Sequence, residues 1–217
     1  MATDQFGEPV RRLFKPSLDR CSMNIPFSEL VVYNQQKQIS QLQFTTMARP
    51  QPARDESTLV IYIDGACQGN GTPSAKASYG VYVGPSSCYN TNGLLSPSLP
   101  QTSTRAEIAA LECALGVIYN ITQDDFKLSR IKIATDSKYL VQSMSKWIEG
   151  WIDNGGFNAQ GDPVVHFEKL KELHERLDEM EYGDDGGLEI QFWHIPRDVN
   201  KEADALAGAA LSSVSRE

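Results

Sequence analysis

The sequence contains no run of eighteen apolar residues, no pair of cysteines spaced CxxC and no overall excess of basic residues. Without a long apolar run, we expect no helix that crosses a membrane. The N-terminal residues also lack the apolar core of a secretory signal. The four cysteines have neither a disulfide-framework spacing nor a zinc spacing, which favours a reducing compartment. We therefore expect an intracellular protein that makes no membrane contact.

Charge is unevenly distributed along the chain. The net charge of −8 argues against a protein whose whole surface binds nucleic acid. Residues 1–54 nevertheless carry seven Lys or Arg against four Asp or Glu, whereas the remaining residues carry thirteen against twenty-four. A divalent-metal site would use part of this acidity, and a solvated surface accounts for most of it.

The first quarter of the chain differs from the rest in pattern. Residues 1–54 show little periodicity apart from the apolar run 30–33, and residues 48–57 form a linker rich in Pro, Arg and polar residues. We predict an N-terminal extension and linker over 1–56, either partly disordered or packed on the domain that follows. Residues 57–214 are predicted to be that domain, which is long enough to bury a core.

Periodicity within 57–214 predicts the element order βββαβααβα. Apolar β-rich segments indicate strands, and apolar residues at helical spacing indicate helices. Three strands in succession followed by helix-linked strands imply an α/β fold with a mixed sheet and helices on its faces. The predicted strands are 58–63, 78–84, 88–95, 130–135 and 188–195, and the predicted helices are 105–120, 137–152, 164–180 and 201–214. We expect Asp64-Gly65 to end the first strand in a turn.

Four acidic residues occupy related positions in this order. Asp64 and Asp136 each follow an apolar strand, Glu107 opens a helix, and Asp204 lies in the first turn of the last helix. Such positions meet at one edge of an α/β sheet. Converging carboxylates need a compensating cation, and hard oxygen ligands select Mg²⁺ or Mn²⁺.

Each carboxylate also has a structural interpretation. Asp64-Gly65 alone is typical of a turn, and Glu107 fits a capping box that starts at Thr104. Asp136 could cap the helix that follows it, and Asp204 could simply favour a helix dipole. It is the ordered combination of all four that indicates a catalytic centre.

Four segments together resemble the type 1 ribonuclease H family. YIDGACQGNG (62–71) resembles its first strand and loop, and QTSTRAEIAALECAL (101–115) its Thr-x-x-Arg-Ala-Glu helix. ATDSKYLVQSM (134–144) and NKEADALAGAAL (200–211) resemble its Thr-Asp-Ser segment and its last helix. The resemblance implies a ribonuclease H-like fold with a five-stranded mixed sheet. It also implies an endonuclease that cuts the RNA strand of RNA–DNA hybrids, with Asp64, Glu107, Asp136 and Asp204 holding two Mg²⁺ ions (or Mn²⁺). We expect a monomer.

The resemblance further implies a substrate surface. Asn70, Ser103 and Thr104 match positions that face the minor groove of the hybrid, where 2′-hydroxyls distinguish RNA from DNA. Thr102 matches a position that binds a phosphate of the DNA strand, and Arg105 belongs to the same signature. His166 stands where many members have an asparagine that helps to hold this phosphate.

Two regions depart from the family pattern. The usual Gly-His-Ser/Ala-Gly loop before the last helix is replaced by WHIPR (193–197), so His194 is either the catalytic histidine or a strand residue held by its neighbours. The equivalent of the basic, Trp-rich protrusion, 146–163, carries three acidic residues and one Lys. Its Trp147 and Trp151 are either core residues or a platform for bases, and His174 is expected on a helix surface. These departures leave a second hypothesis open, a weak or inactive ribonuclease H-like module that binds nucleic acid or protein.

Overall fold

Eight strands and five α-helices make up the regular structure of residues 10–183 and 187–213, the part of the chain that this computed structural model describes. The strands are β1 (Val31–Asn34), β2 (Ile39–Phe44), β3 (Ala53–Arg54), β4 (Thr58–Gln68), β5 (Lys76–Tyr82), β6 (Thr91–Leu94), β7 (Arg130–Thr135) and β8 (Glu189–His194). The helices are α1 (Ser103–Asp124), α2 (Lys138–Gln142), α3 (Ile148–Asp153), α4 (Phe167–Tyr182) and α5 (Lys201–Ser213). Residue 214, where we placed the end of the domain, and residues 1–9 of the extension lie outside the described ranges.

The central five strands lie in the order β6–β5–β4–β7–β8. β4 is antiparallel to β5, and β5 to β6, whereas β7 runs parallel to both β4 and β8. The predicted order βββαβααβα and the ribonuclease H-like α/β fold are therefore confirmed. The sheet has eight strands rather than five because residues 31–54 add β1, β2 and β3, with β2 meeting β4 at Ser40 and Val60.

The first predicted strand boundary is wrong. β4 continues past Asp64 and Gly65 to Gln68, and the turn follows at residues 69–75. Gly65 is not a turn residue: a Cβ atom there would overlap the backbone of Ala106 and Glu107. The glycine is needed because helix α1 crosses β4 at this point, a tertiary requirement that the local pattern does not show.

The helix predicted over 137–152 is interrupted by a π-helical segment. α2 is followed by a π segment, Ser143–Trp147, and then by α3. The hydroxyl of Ser145 donates to the carbonyl of Val141 at 2.6 Å, which is the side-chain competition that commonly bends helices. The two residues after Asn154, Gly155 and Gly156, have positive φ and end α3 as expected.

Residues 10–44 cover one face and one edge of the sheet. α1 and α4 pack on the opposite face, where they form the main core with β4, β7 and β8. On the near face, Phe14, Ile25, Leu30 and Leu42 are buried with Trp193 in a second core, which we call the N-terminal core. Residues 12–14 also pair with the outer edge of β8, with hydrogen bonds in both directions between 12–14 and Phe192. The described part of the extension is therefore packed rather than free.

The prediction that His174 lies on a helix surface is wrong. Only 7% of the residue is exposed, and its Nδ1 lies 2.7 Å from the guanidinium of Arg12. Arg12 also contacts Asp178 and Glu181 at 2.9 and 2.7 Å, so it joins the extension to α4. Burial and the charge of Arg12 lower the pKa of His174. The contact was missed because its partner lies 162 residues away.

No helix in the ranges 10–183 and 187–213 is both long and apolar enough to cross a bilayer.

Candidate metal centre and nucleic-acid interface

Asp64 and Asp136 lie side by side on adjacent strands. β4 and β7 are parallel and in register through Tyr62 and Ala134, so the residues two positions further along each chain are neighbours. The pKa of Asp64 is raised to about 7, mainly by burial and in smaller part by the negative charges of Asp136 and Asp204. Three of the four predicted carboxylates therefore interact electrostatically.

Glu107 reaches this edge because α1 lies directly on Gly65 of β4. Its Oε2 accepts a short hydrogen bond from the hydroxyl of Ser137, the residue that follows Asp136. Burial raises the pKa of Glu107 and the charge of Asp136 adds to this effect, although the Ser137 hydrogen bond opposes both. The fourth carboxylate is thus coupled to the same strand end.

Asp204 approaches from the other face of the sheet. Gly80 of β5 pairs in register with Asp64, and a Cβ atom at Gly80 would overlap the backbone of Ala203 and Ala207. The hydroxyl of Ser78 donates to the Ala207 carbonyl at 2.7 Å and fixes the same helix. Two glycines, one on each face, therefore let two helices bring carboxylates to Asp64.

Gly80→Ala should separate α5 from β5 and move Asp204 away from Asp64. Because the obstruction is backbone rather than a flexible side chain, we expect a loss of about 1–3 kcal/mol of stability together with a large fall in hybrid cleavage. Thermal melting and initial rates measure the two effects. Gly208→Ala is the matched control on the same helix, since a Cβ there meets nothing within 4 Å. Normal activity in Gly80→Ala would contradict this role for the glycine.

Neither Glu107 nor Asp136 caps a helix, although the sequence allowed a capping role for both. The N-cap of α1 is Thr102, whose hydroxyl accepts from the backbone N–H of Arg105, so the helix begins two residues before the predicted capping box. The N-cap of α2 is Ser137 rather than Asp136. Both acidic side chains are therefore available for another role.

Two residues at this edge were missed in the sequence. The side chain of Asn200 donates to Asp136 Oδ1 at 2.9 Å and to the carbonyl of Ile63 at 3.0 Å. The guanidinium of Arg197 lies 3.7 Å from Asp204. Asn200 opens the NKEADALAGAAL segment, so the signal was present, but no local pattern indicates where its side chain donates.

His194 is the last residue of β8 and is paired in register with Thr135, next to Asp136. Ile190 and Phe192 on the same strand are buried, whereas His194 is exposed. It is thus a strand residue, as one of the two interpretations required, but it does not share the burial of its strand neighbours. Its imidazole can be reached from solvent at the edge that carries the carboxylates.

The residues expected to contact the minor groove, and Thr102, expected to bind a phosphate of the DNA strand, are accessible. Asn70 is exposed in the turn after β4, and Thr102, Ser103 and Thr104 are partly exposed at the start of α1. Cys67 Sγ lies 3.9 Å from Asn70 Oδ1 and 3.3 Å from the carbonyl of Gln101, the residue before Thr102. The turn and the helix start are therefore neighbours.

Arg105 and His166 form a buried to half-buried pair between α1 and α4. Arg105 is only 7% exposed and its Nη1 has no hydrogen-bond partner within the described ranges. Burial and the charge of Arg105 lower the pKa of His166, which has a left-handed backbone conformation at the start of α4. Nη2 of Arg105 lies 3.9 Å from Glu112, but the unpartnered Nη1 donor beside a helix start suits an anion such as a phosphate.

The two tryptophans of the acidic protrusion (146–163) pack in the core. Trp151 is buried, and Trp147 packs against it at a ring-centroid distance of 5.7 Å, so both belong to the core more than to a platform for bases.

Most basic side chains of the N-terminal extension are held in ion pairs. In the extension, Arg11, Arg12, Lys37 and Arg54 are four of the seven basic residues, and all four form ion pairs with acidic side chains.

The four carboxylates interact electrostatically in pairs, but they do not form one compact cluster. Within residues 10–183 and 187–213, no three Asp, Glu, His or Cys side chains are grouped closely enough to hold a metal ion as they stand. The donor set nevertheless fits a hard divalent cation, because all four candidates supply carboxylate oxygens. The raised pKa of Asp64 reflects in part the like-charge repulsion that such a cation would relieve.

Comparison with known proteins agrees with this geometry. Residues 56–212 match the family model described as RNase H. Ribonuclease H1 of Rattus norvegicus is 36% identical over 155 residues, which cover 69% of this chain and 49% of that protein. Ribonuclease H of Pelobacter propionicus is 29% identical over 75% of this chain and 90% of its own length. The chain thus spans about half the length of the mammalian relatives that it matches.

Solved structures share the fold. LC11-RNase H1, isolated from compost by a metagenomic approach, superposes with a TM-score of 0.50 at 23% identity and covers 73% of this chain and 98% of its own. A foamy viral protease-reverse transcriptase superposes with a TM-score of 0.53 at 24% identity, covering 70% of this chain and 92% of that chain. From the family match, the named relatives and the shared fold, the chain belongs to the type 1 ribonuclease H family.

Proposed function

We propose that this chain hydrolyses the RNA strand of RNA–DNA hybrids with the help of two divalent cations. The observation that carries the proposal is the placement of Asp64, Glu107, Asp136 and Asp204 at one edge of the sheet, on four different elements. The proposal is also supported by relatives named Ribonuclease H1 and by a neighbour of the same fold, LC11-RNase H1, that has been crystallised with an RNA/DNA hybrid.

The four carboxylates would hold Mg²⁺ or Mn²⁺. A bound pair of such cations supplies an activated water and neutralises charge on the leaving oxygen. The protein contributes hydrogen bonds to these carboxylates: the Ser137 hydroxyl donates to Glu107, and the Asn200 amide donates to Asp136. No serine or cysteine nucleophile is required in this scheme.

The exposed side chains at the start of α1 would select the substrate. Asn70, Ser103 and Thr104 can donate to and accept from 2′-hydroxyls, which DNA lacks. Arg105 and His166 interact electrostatically, and together with Thr102 at the N-cap of α1 they would receive a phosphate of the DNA strand. Selection of a hybrid over double-stranded DNA or RNA requires both groups of contacts at once.

A cleavage assay tests the function directly. Labelled RNA–DNA hybrid should be cut in Mg²⁺ and left intact in EDTA, and double-stranded RNA and DNA of the same sequence should survive both conditions. The competing hypothesis, an inactive module, is favoured by the open arrangement of the carboxylates. It predicts hybrid binding without cleavage at any Mg²⁺ or Mn²⁺ concentration.

His194→Ala should lower kcat with little change in KM. An exposed imidazole near the carboxylates can exchange a proton with the departing phosphate, and we expect a loss in kcat of about 10–100-fold, at the low end of what general acid–base groups contribute. Because His194 is exposed, we expect the melting temperature to change little. Steady-state kinetics and thermal melting of the one variant decide the matter: unchanged kcat removes His194 from the catalytic residues.

Hybrid binding should depend weakly on salt. Each phosphate that a protein neutralises adds about −0.9 to the slope of log affinity against log salt concentration. Since most basic residues of the extension are held in ion pairs and the net charge is −8, we expect a slope shallower than about −4. Affinity measured between 50 and 200 mM salt (about a fourfold range) gives the slope. A slope steeper than about −6 that becomes shallower by about 3 in a Lys15→Ala, Arg20→Ala, Arg49→Ala triple variant would instead make the extension the electrostatic contact.

A further inference from the structure

Asn200 occupies a position that joins three of the four carboxylate-bearing elements. It is only 1% exposed, and it lies between β8 and α5. Its side-chain NH₂ donates to Asp136 Oδ1 at 2.9 Å and to the carbonyl of Ile63 at 3.0 Å. Its own carbonyl accepts from the backbone N–H of Asp204 at 3.1 Å. One residue therefore contacts Asp136, the residue before Asp64, and Asp204 itself.

The hydrogen bond to Ile63 has a specific structural meaning. β4 and β7 are paired from Thr58 to Tyr62 on one strand and from Arg130 to Ala134 on the other. Beyond this point the pairing of β4 with β7 stops, and a buried carbonyl there still requires a donor. The Asn200 amide supplies a hydrogen bond to the carbonyl of Ile63. It thereby fixes the spacing of β4 and β7 where Asp64 and Asp136 emerge.

The amide orientation follows from the chemistry of its partners. Both Asp136 Oδ1 and the Ile63 carbonyl are acceptors, so only the NH₂ end can face them. The Asn200 Oδ1 is consequently left buried with no partner in the described part of the chain. An unsatisfied buried acceptor costs stability, which a purely structural residue would avoid.

We propose that Asn200 is a positioning residue for the metal centre, which holds Asp136 and Asp64 at a fixed separation without adding charge. Asn suits the task because Lys or Arg would compete with a cation, and Asp or Glu could not donate. Groups that hydrogen-bond to metal-binding side chains typically change metal affinity by about 10–100-fold. The inference rests on the proposed function, since it assumes that these carboxylates bind divalent cations.

Asn200→Ala tests the inference, with Asn34→Ala as the matched control. Asn34 is equally buried, and its NH₂ donates to Gln41 in the N-terminal extension. Both variants lose a buried amide, so both should melt at a lower temperature. The deciding measurement is the Mg²⁺ concentration that gives the half-maximal rise in melting temperature. We expect it to increase about 10–100-fold in Asn200→Ala and to stay unchanged in Asn34→Ala.

Asn200→Ser keeps the test decisive if the alanine variant does not fold. Its hydroxyl can donate one of the two hydrogen bonds, so we expect an intermediate Mg²⁺ requirement. Equal Mg²⁺ requirements in the Asn200 variants and the wild type, or an equal shift in Asn34→Ala, would overturn the positioning role. A wild-type protein whose melting temperature does not respond to Mg²⁺ or Mn²⁺ would contradict the two-metal function itself, and the role of Asn200 with it.

Discussion

Asp64→Asn and Asp136→Asn should each reduce Mg²⁺-dependent hybrid cleavage by at least about 1,000-fold, which corresponds to about 4 kcal/mol of transition-state stabilisation. The loss is large because a neutral amide is a poor ligand for a hard cation, and cation-based stabilisation contributes several kcal/mol. The two residues lie on adjacent strands, so both substitutions should affect the same centre. Initial rates at saturating Mg²⁺ measure the effect.

Asp64→Asn should raise the folding stability of the metal-free protein although it lowers activity. Its folded pKa, about 7, lies above the ordinary value of 3.8, so the native state disfavours the charged form. The stability linked to this group is present below pH 4 and is lost as the pH rises through about 7. In EDTA at pH 8, Asp64→Asn should therefore melt at a higher temperature than the wild type, despite being inactive.

Asp198→Asn is the matched control for these variants. Asp198 is exposed in the short turn between β8 and α5, so its replacement removes one negative charge near the centre without removing a proposed ligand. We expect its activity to stay within a few-fold of the wild type. Near-normal cleavage by Asp64→Asn or Asp136→Asn would show that the carboxylates do not bind the catalytic cations.

The sequence was sufficient to predict the structural features that depend on residues close to one another in the chain. Alternation of apolar residues predicted the strands of 58–194, and helical spacing predicted α1, α4 and α5, because both patterns reflect burial of residues close in sequence. The positions of Glu107, Asp136 and Asp204 were predicted for a similar reason, since the end of β7 and the starts of α1 and α5 can be recognised locally, whereas Asp64 lies within β4. Their actual proximity in space depends on Gly65 and Gly80, whose role is visible only once helices are packed against them.

Long-range pairing explains the errors. Asp64-Gly65 was interpreted as a turn because Asp-Gly is a local turn signal, although a crossing helix requires the glycine. His174 was placed on a surface because its own helix gives no reason for burial, whereas Arg12 supplies one from the other end of the chain. Residues 10–44 lack periodicity of their own because they are short segments fitted to an existing sheet.

Removal of residues 1–54 should unfold the domain or leave it barely stable. Phe14, Ile25, Leu30 and Leu42 are buried in the N-terminal core, and at about 2 kcal/mol for each side chain they contribute about 8 kcal/mol. That amount is comparable to the entire stability of a typical domain, about 5–15 kcal/mol. The truncation would also expose Lys132, which is fully buried in the sheet.

Two further variants, Phe14→Ala and a deletion of residues 1–9, distinguish the loss of packing contacts from a general effect of shortening the chain. The aromatic ring of Phe14 meets Trp193 edge-on at a centroid distance of 5.4 Å, so its loss should cost about 3–5 kcal/mol. Deletion of residues 1–9 leaves all of these contacts in place and is therefore the control for truncation itself. Chemical denaturation of the three proteins gives the comparison.

If the protein lacking 1–54 were as stable as the full chain, the extension would be a free arm, and the contacts of Phe14 with Trp193 would contribute nothing to the fold. If it is unstable, the folding unit includes the N-terminal extension, because the strand that ends at His194 is paired at its outer edge with residues 12–14.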